Sequence, residues 1–389
     1  MISVVIPTVG RPSLHELLAR LDDPDLEIVV VDDRPDPEPL TAARGRVIAG
    51  PARGPAAARN AGWRAARHEW VVFLDDDVLP DADWPRRLRD DLAAAGPEVG
   101  GVQGVLSVPL PENRRPTDWE RVTAGLAAGA WITADMAFRR AALSAVGGFD
   151  ERLPRAFRED AELAFRVRQA GWKLRRGDRR TTHPVRAESR WVSVRTQRGN
   201  ADDALLRRLY GPQWRDLLAI PAGRRSRHAA ITVAGVLALA GGAVAAATRR
   251  PGWAVAAAVA GAAWAAGTAE FAAARIVPGP RDRREVATML VTSVAIPPVA
   301  ITHWLRGWWR WRSAEPASAP SQNRAATPAE SPATSRAATP AESPATSRAA
   351  TPAEGPAGSH AAAGSPAASR AATPAEGPAG APAAKAVAG

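Results

Sequence analysis

Three short, predominantly apolar runs near the start of the chain constrain its fold most strongly. They are Ile2–Thr8, Leu26–Asp33 and Trp70–Leu74, and none shows a regular alternation of apolar and polar residues. Such runs are typical of strands buried on both faces, as in parallel sheets covered by helices. The intervening segments Ser13–Leu21 and Ala56–Arg67 have helical spacing or composition. The order predicts a doubly wound α/β half-domain.

Acidic residues stand where the second and third runs end. Asp32 and Asp33 end the second run, and Asp75, Asp76 and Asp77 follow the third. In such sheets, ligands bind beyond the C-terminal ends of the strands. Alternate residues of a strand point to the same side, so we expect Asp75 and Asp77 to converge and Asp76 to face away. Converging carboxylates suit Mg²⁺ or Mn²⁺ carrying phosphate oxygens, and a solvated turn rich in Asp is the alternative.

Several short motifs across residues 1–205 together resemble the inverting glycosyltransferases of family 2, which have the nucleotide-sugar-binding GT-A fold. The motifs are Val4-Val5-Ile6-Pro7-Thr8, Arg11-Pro12, Val31-Asp32-Asp33, Ala58-Arg59-Asn60-Ala61-Gly62, Phe73-Leu74-Asp75-Asp76-Asp77, Gly147-Gly148-Phe149-Asp150 and Arg158-Glu159-Asp160. The family often has an aromatic–Asn pair after Pro-Thr, where this chain has Val9-Gly10. The resemblance implies a GT-A-like α/β catalytic domain with a mostly parallel sheet.

The resemblance assigns donor-binding roles to residues at the strand ends and at the start of the second helix. Asp32 and Asp33 would hold the base and ribose of the nucleotide, and Asp75 the ribose or diphosphate. Arg59 and Asn60 would lie near the nucleotide, with a structural ion pair from Arg59 to Asp32 or Asp75 as the alternative. The predicted donor-binding set is Thr8, Arg11, Asp32, Asp33, Arg59, Asn60, Asp75 and Asp76.

The resemblance also implies a metal site, a catalytic base and a contact with sugar or acceptor. Asp77 would bind a divalent metal, Mn or Mg, and His183 would join it unless that histidine is merely structural. Asp160, in the first turn of a predicted helix, would take the acceptor's proton. The alternative for Asp160 is an acidic residue favoured there by the helix dipole. Asp135 and Glu159 would contact the donor sugar or the acceptor, with a surface turn as the alternative for Asp135.

The second half of the chain is different in kind. Ala229–Thr248, Pro251–Ala269 and Val286–Leu305 carry no Asp, Glu, Lys or Arg, and each is long enough to span a hydrocarbon core of about 30 Å. A soluble Ala-rich helical bundle is the alternative. The predicted organisation is a catalytic domain at 1–205, a basic linker at 206–228, three transmembrane helices at 229–305, and a basic, aromatic flank with a repeat tail at 306–389.

The net charge of +11 comes from the apolar region and its flanks, because residues 206–312 hold 15 basic and 4 acidic side chains. Residues 1–205 hold 31 of each, so the basic balance indicates anionic membrane lipid rather than nucleic acid. A small positive-inside bias, with Met1 opening directly into a strand, predicts a multi-pass cell-membrane protein whose catalytic domain is cytoplasmic. With three spans, the tail would emerge on the opposite side.

The tail is repetitive and poor in large apolar residues. The segment Arg324–Ser335 recurs at Arg336–Ser347, and its Ala, Pro, Ser and Thr composition predicts a disordered linker or glycosylated stalk. The chain has no cysteine, which excludes disulfides and thiolate metal sites. Only Lys173 and Lys385 are lysines among 51 basic residues, which indicates GC-rich coding and a bacterial source.

These features predict a metal-dependent, inverting glycosyltransferase that moves one sugar from a nucleotide sugar, UDP-linked or with GDP or dTDP instead, to a hydroxyl of an envelope or lipid-linked acceptor. Single transfer is favoured because Arg190-Trp191 lacks the Gln three residues earlier that processive members carry. One alternative is a nucleotidyltransferase, for which Val9–Pro12 is a poor Gly-rich loop. The other is a non-catalytic membrane scaffold that only binds sugar nucleotides.

Overall fold

A computed structural model describes residues 1–37, 40 and 44–316 of the 389-residue chain. The tail repeats from Arg324, predicted to be disordered, lie outside the described residues. The strands are β1 Ile2–Thr8, β2 Leu26–Asp32, β3 Arg46–Ala49, β4 Trp70–Leu74, β5 Leu79–Pro80, β6 Val99–Ser107, β7 Asp135–Arg139 and β8 Lys173–Thr182. The helices are α1 Ser13–Arg20, α2 Pro55–Ala65, α3 Trp84–Ala93, α4 Asp118–Ala124, α5 Arg140–Val146, α6 Glu159–Gln169, α7 Val192–Arg195, α8 Asn200–Tyr210, α9 Trp214–Leu217, α10 Arg225–Thr248, α11 Pro251–Ile276 and α12 Arg283–Arg310. Two 3₁₀ turns cover Gly125–Ala128 and Thr196–Gly199.

The strands form one mixed sheet in the order β3-β2-β1-β4-β7-β6-β8-β5. Strands β3, β2, β1 and β4 run parallel, β7 is antiparallel to β4 and β6, and β8 is parallel to β6. The predicted α/β class with its parallel core is confirmed. In this register Thr8 pairs with Asp32, and Leu74 ends β4 beside Asp135. The acidic strand ends therefore lie along one edge of the sheet.

Both faces of the parallel part of the sheet are covered by helices, which explains why β1, β2 and β4 are almost continuously apolar. Val4 and Val72 point to the side of α1 and α3, where they pack in one buried cluster. Val5 and Phe73 point to the opposite side and pack with residues of α2, α5 and α6 in a second cluster. Successive residues of a strand point to opposite faces of the sheet, so β1 and β4 bury apolar side chains on both faces.

The start of α2 is in direct contact with the loop before α6. Gly54 precedes α2 with φ +92°, and a Cβ atom there would lie 2.0 Å from the carbonyl oxygen of Pro154. Only glycine tolerates both this conformation and this approach. The contact places the segment that leads into α6 against the end of the parallel sheet.

Three helices are long and apolar enough to cross a membrane, and they match the three predicted uncharged runs. They are α10, α11 and α12, with 24, 26 and 28 residues. Helices α10 and α11 form an antiparallel hairpin in which Gly241 approaches Ala257 closely. The domain boundary predicted at residue 205 falls inside α8.

Candidate active site

Two carboxylates and one histidine form a group beyond the end of β4, called the strand-end group below. Asp75, Asp77 and His183 each offer one ligand atom, and these atoms all lie within 4.8 Å of one another. His183 follows β8, where its backbone N–H donates to the carbonyl of Ser107 at 2.8 Å. The predicted convergence of Asp75 and Asp77 is confirmed.

The two ring nitrogens of His183 have contacts that are compatible with a cation bound at Nε2. Its Nδ1 lies 3.1 Å from the carbonyl oxygen of Pro184, and because a carbonyl only accepts, Nδ1 carries a proton. The other nitrogen, Nε2, faces Oδ1 of Asp77 at 3.8 Å. A neutral imidazole would turn its lone pair toward this carboxylate, which is repulsive unless a cation lies between them or Nε2 is protonated. The three residues therefore fit a divalent cation with oxygen and imidazole ligands.

Asp77 is buried, and this burial raises its pKa, with the Asp75 carboxylate acting in the same direction. His183 and Arg186 act against the rise. The Nε atom of Arg186 lies 3.0 Å from Oδ2 of Asp77. Sequence reasoning misses Arg186, although a basic residue three positions after His183 is visible in the sequence.

Arg59 joins the strand-end group to the start of α6. Its buried guanidinium donates from Nη2 to Asp75 and from Nη1 to Glu159, both at 2.8 Å. Burial raises the pKa of Glu159, and the neighbouring Asp160 acts in the same direction, against the bond from Arg59. The structure thus shows Arg59 in an ion pair with Asp75, and its contact with a nucleotide stays a prediction.

Asp160 lies in the first turn of α6, beside the residue that Arg59 holds. Its Oδ1 accepts from the N–H of Ala161 at 2.7 Å. Burial raises the pKa of Asp160, and Asp75 adds to the rise while Arg59 and Arg158 oppose it. A carboxylate with a raised pKa is a better proton acceptor, provided that it is ionised at the working pH.

The loop that leads into Asp160 is fastened to α8 by two ion pairs. Arg155 donates from Nη1 to both oxygens of Asp202, at 2.7 and 2.9 Å. Arg158 donates from Nε to Asp203 at 3.1 Å. Arg158 adopts φ +77°, a left-handed conformation that is rare for a residue with a long side chain. The strained residue stands two positions before the candidate base.

Thr8, Arg11 and Asp76 come together at the end of β1. Thr8 donates from Oγ1 to Oδ2 of Asp76, and Arg11 donates from Nη1 to Oδ1, both at 2.6 Å. Both oxygens of the buried Asp76 are therefore engaged by the first loop, and Asp76 is not part of the strand-end group. Among the predicted donor residues, these three order the loop after β1.

Asp32 and Asp33 lie at the end of β2 and fasten the neighbouring loops. Arg34 donates to Asp32 from Nε and Nη2 at 2.9 and 2.6 Å, and this bonding lowers the pKa of Asp32. Asp33 accepts from the backbone N–H groups of Ala52 and Gly54 at 2.7 and 2.8 Å. Sequence reasoning misses Arg34, although it directly follows the acidic pair.

Two further predicted residues are buried. Asn60 donates to the carbonyl of Phe149 and accepts from its N–H, both at 2.9 Å, which ties α2 to the Gly-Gly-Phe-Asp loop. Asp135 is fully buried and accepts hydrogen bonds from three side chains, those of Trp84, Arg179 and Thr181. The structure does not bring Asp135 into the strand-end group, and the roles of Asn60 and Asp135 toward donor or acceptor stay predictions.

Comparison with known proteins adds to this geometry. Residues 3–133 match the family described as Glycosyl transferase family 2. A pre-mycofactocin glycosyltransferase of Mycobacterium tuberculosis is 31% identical over 196 residues, which are 45% of this chain and 40% of that protein. The succinoglycan biosynthesis protein ExoO of Rhizobium meliloti is 42% identical over 81 residues, 19% of this chain and 23% of that one. The chain thus spans less than half the length of these curated relatives.

Among solved structures, glucosyl-3-phosphoglycerate synthase of Mycobacterium tuberculosis, crystallised with Mn²⁺, UDP-glucose and phosphoglyceric acid, is similar at 16% identity and a TM-score of 0.37. The similarity covers 57% of this chain and 81% of that one. The sheet and the residues at its edge define the class, an α/β domain with a group of two carboxylates and one histidine beyond the end of β4. The sequence match is to glycosyltransferase family 2, and it covers residues 3–133 of the chain.

Proposed function

We propose that this protein is a metal-dependent, inverting glycosyltransferase that moves one sugar from a nucleotide sugar, UDP-linked, to a hydroxyl of an envelope or lipid-linked acceptor. One observation carries the proposal within the family 2 domain. The strand-end group is joined through Arg59 to Glu159, the residue next to Asp160. A candidate cation ligand set and a candidate general base thus belong to one bonded network, and direct displacement at a sugar carbon can use the first to stabilise the leaving group and the second to activate the acceptor.

The chemistry assigns a separate task to each part of this network. Asp75, Asp77 and His183 would hold Mn²⁺ or Mg²⁺, and the bound ion would neutralise charge on the departing diphosphate. Asp160 takes the proton of the acceptor hydroxyl as its oxygen bonds to the anomeric carbon. The bond from that carbon to the diphosphate oxygen breaks, and its electron pair leaves with the nucleoside diphosphate. Attack from the face opposite the leaving group inverts the anomeric configuration.

In this proposal, the donor binds along the edge formed by the ends of β1, β2 and β4. Asp32 and Asp33 are proposed to meet the base and ribose, with Thr8 and Arg11 shaping the loop beside them. Glu159 is proposed to meet the donor sugar. Its Oε2 is buried and has no hydrogen-bond partner among the described residues, which supports a role in receiving a ligand hydroxyl.

We extend the proposal to location. The catalytic domain lies on the cytoplasmic side of the cell membrane, anchored by apolar helices whose basic flanks meet anionic lipid. The three long apolar helices and the excess of basic residues in 206–312 support this placement.

The variant Asp160→Asn tests the proposed reaction. It keeps the size of the side chain but cannot accept a proton, so turnover should fall by about 10²-fold or more while donor affinity stays near that of the parent. Release of nucleoside diphosphate measures turnover, using the full chain, Mn²⁺, a panel of nucleotide sugars and a membrane extract as acceptor source. Asp90→Asn, on the exposed side of α3, is the matched control.

Two results would contradict the proposal. Turnover of Asp160→Asn close to that of the parent would remove the base from Asp160. Transfer of the nucleotidyl group, with release of sugar phosphate in place of nucleoside diphosphate, would identify a nucleotidyltransferase instead.

A further inference from the structure

Both ends of α12 contact the proposed catalytic domain, at α4 and at α8. Near its start, Glu285 accepts from the backbone N–H of Asp118 at 3.0 Å, at the beginning of α4. Near its end, a Cβ on Gly307 would lie 2.6 Å from the Cα of Ala201, so the backbones of α12 and α8 touch there. Helix α8 is the element that fastens the loop before Asp160. Two distant points of α12 therefore contact the same folded body.

The contact runs along the length of α12. Its buried residues recur at helical spacing, at Met289, Thr292, Ser293, Ile296, Pro297, Ala300 and Gly307. Helix α12 packs on α7, on the 3₁₀ turn Thr196–Gly199 and on α8. Beyond α12, Trp311 packs against the apolar cluster formed by α8 and α9. One face of α12 is thus part of the interior of the protein.

The hairpin of α10 and α11 meets α12 at its base. Arg275, near the end of α11, donates to Thr292 at 2.7 Å and to Ser293 at 3.1 Å. Arg225, at the start of α10, stacks its guanidinium 3.8 Å from the ring centroid of Trp304. Twelve residues separate Thr292 from Trp304, about 18 Å along a helix. Helix α12 therefore lies across the base of the hairpin.

The geometry points to an in-plane helix, and we propose that α12 does not cross the membrane but lies at its surface between the catalytic domain and the lipid. From Glu285 to Gly307 the helix rises about 33 Å, which equals or exceeds the hydrocarbon core of about 30 Å. A crossing α12 would put Asp118 and Ala201 on opposite sides of the bilayer, although both belong to one folded body. The chain crosses twice, through α10 and α11, so α12 and the segment after it stay on the side of the catalytic domain.

The outward face of α12 has the composition of a membrane-surface helix. Leu290, Val294, Leu305, Trp308 and Trp309 are 46–66% exposed. Trp side chains prefer the level of the lipid headgroups, and an interfacial helix buries its apolar face at the boundary of headgroups and acyl chains. The basic residues Arg306, Arg310 and Arg312 stand beside them and suit anionic headgroups. The occupant of this face is therefore the lipid surface.

Because the chain has no cysteine, single-cysteine variants of the full protein test the topology directly. The three positions are exposed: Ala19→Cys on α1, Arg250→Cys in the hairpin turn and Ser313→Cys just after α12. Sealed membrane vesicles of both orientations are treated with a membrane-impermeant maleimide. We expect Ser313→Cys and Ala19→Cys to be labelled in vesicles of one orientation. We expect Arg250→Cys to be labelled only in vesicles of the opposite orientation.

Two outcomes overturn the inference. Labelling of Ser313→Cys together with Arg250→Cys means that α12 crosses the bilayer. Labelling of Arg250→Cys together with Ala19→Cys removes the crossing hairpin on which the inference rests, and with it the proposed mode of anchoring. Neither outcome bears on glycosyl transfer, which is tested separately by Asp160→Asn.

A depth measurement checks the orientation of α12 itself. Spin labels at Val294→Cys and Leu305→Cys, on the outward face, should report the same shallow depth, about 5–10 Å below the headgroups. A crossing helix would instead place Val294 near the bilayer centre and Leu305 near one surface, and that result would overturn the inference. A label at Ala19→Cys supplies the aqueous reference.

Discussion

Asp77 offers a test of the strand-end group that does not depend on turnover. It lies between His183 and Arg186, and its replacement by Ala removes one of three ligand groups. We expect the affinity of the full chain for Mn²⁺ to fall at least about tenfold, since even residues behind the ligands contribute that much. Electron paramagnetic resonance of free Mn²⁺ measures the binding, with Asp90→Asn as the control. Equal affinity in parent and Asp77→Ala would mean that the group is not a metal site.

The pKa of Asp160 predicts the acidic side of the pH profile. Burial raises this pKa above the ordinary value of 3.8, and only the ionised carboxylate accepts a proton. Activity should therefore be complete above the raised pKa and be lost as the pH falls through it. Turnover measured against pH at saturating donor reports this value for the bound enzyme. An acidic limb at or below pH 3.8 would contradict the assigned environment of Asp160.

At the scale of elements, the loop before α6 depends on α8 for its conformation. Arg158 is held at φ +77° while its side chain bonds to Asp203, which also accepts from Arg215 at 2.6 Å. A left-handed conformation in such a residue costs about 1–3 kcal/mol, so it persists only where its surroundings hold it. The variant Asp203→Asn removes the charge that holds Arg158 in this conformation, and a loss of about 1.4 kcal/mol in the positioning of Asp160 corresponds to a factor of ten in rate. We therefore expect kcat to fall by about tenfold, with donor affinity little changed.

A second substitution separates positioning from general destabilisation. Glycine adopts positive φ without strain, so adding Arg158→Gly to Asp203→Asn should restore part of the lost kcat. Steady-state kinetics of the single and double variants give the comparison. If the double variant is slower than Asp203→Asn alone, the backbone conformation of Arg158 is not what Asp203 maintains.

The elements of the sheet are predictable because burial on two faces leaves a clear sequence pattern, and β1 and β4 begin and end where the apolar runs do. Side-chain partners are less predictable, because they depend on loop conformation. Ser13 and Glu16 have the spacing of a capping box, but they form none at the start of α1, because the cap is Pro12, with a helical φ of −59°, and Ser13 is already inside the helix. The same spacing at Thr117 and Glu120 does form a capping box on α4.

In the candidate site, too, some positions are predictable from the sequence and others are not. Strand alternation predicts the convergence of Asp75 and Asp77, which is observed, but β4 ends at Leu74, and a turn that holds Asp76 and Asp77 brings the two carboxylates together. Arg34 and Arg186 pair with predicted acidic residues, but each lies in a loop whose path no periodic pattern determines. Asp135 begins β7, which is inserted between β4 and β6, and its complete burial follows from this antiparallel insertion, which the prediction of a mostly parallel sheet does not include.

At the scale of the whole molecule, composition finds the apolar helices but not what they contact. The buried face of α12 consists of residues such as Met289, Ile296 and Ala300, which would serve equally well against lipid. Its attachment to α8 depends on the close approach at Gly307, a tertiary feature without a periodic signature. The sequence therefore predicts three similar spans, whereas the structure distinguishes a projecting hairpin from a helix packed on the catalytic domain.

This distinction predicts how truncated chains behave. A chain ending at Arg224 keeps every proposed catalytic residue but loses α12 and Trp311, which cover α8 and the cluster of Leu205, Leu209 and Trp214. Uncovering this surface should lower the unfolding midpoint by about 5 °C or more, since 1 kcal/mol corresponds to about 2–4 °C in a domain of this size. A chain ending at Pro316 loses only the tail and should unfold like the full protein. Thermal unfolding followed by Trp fluorescence, with all three chains in the same detergent, measures the midpoints. Equal midpoints for the Arg224 and Pro316 chains would mean that α12 adds nothing to the stability of the catalytic domain.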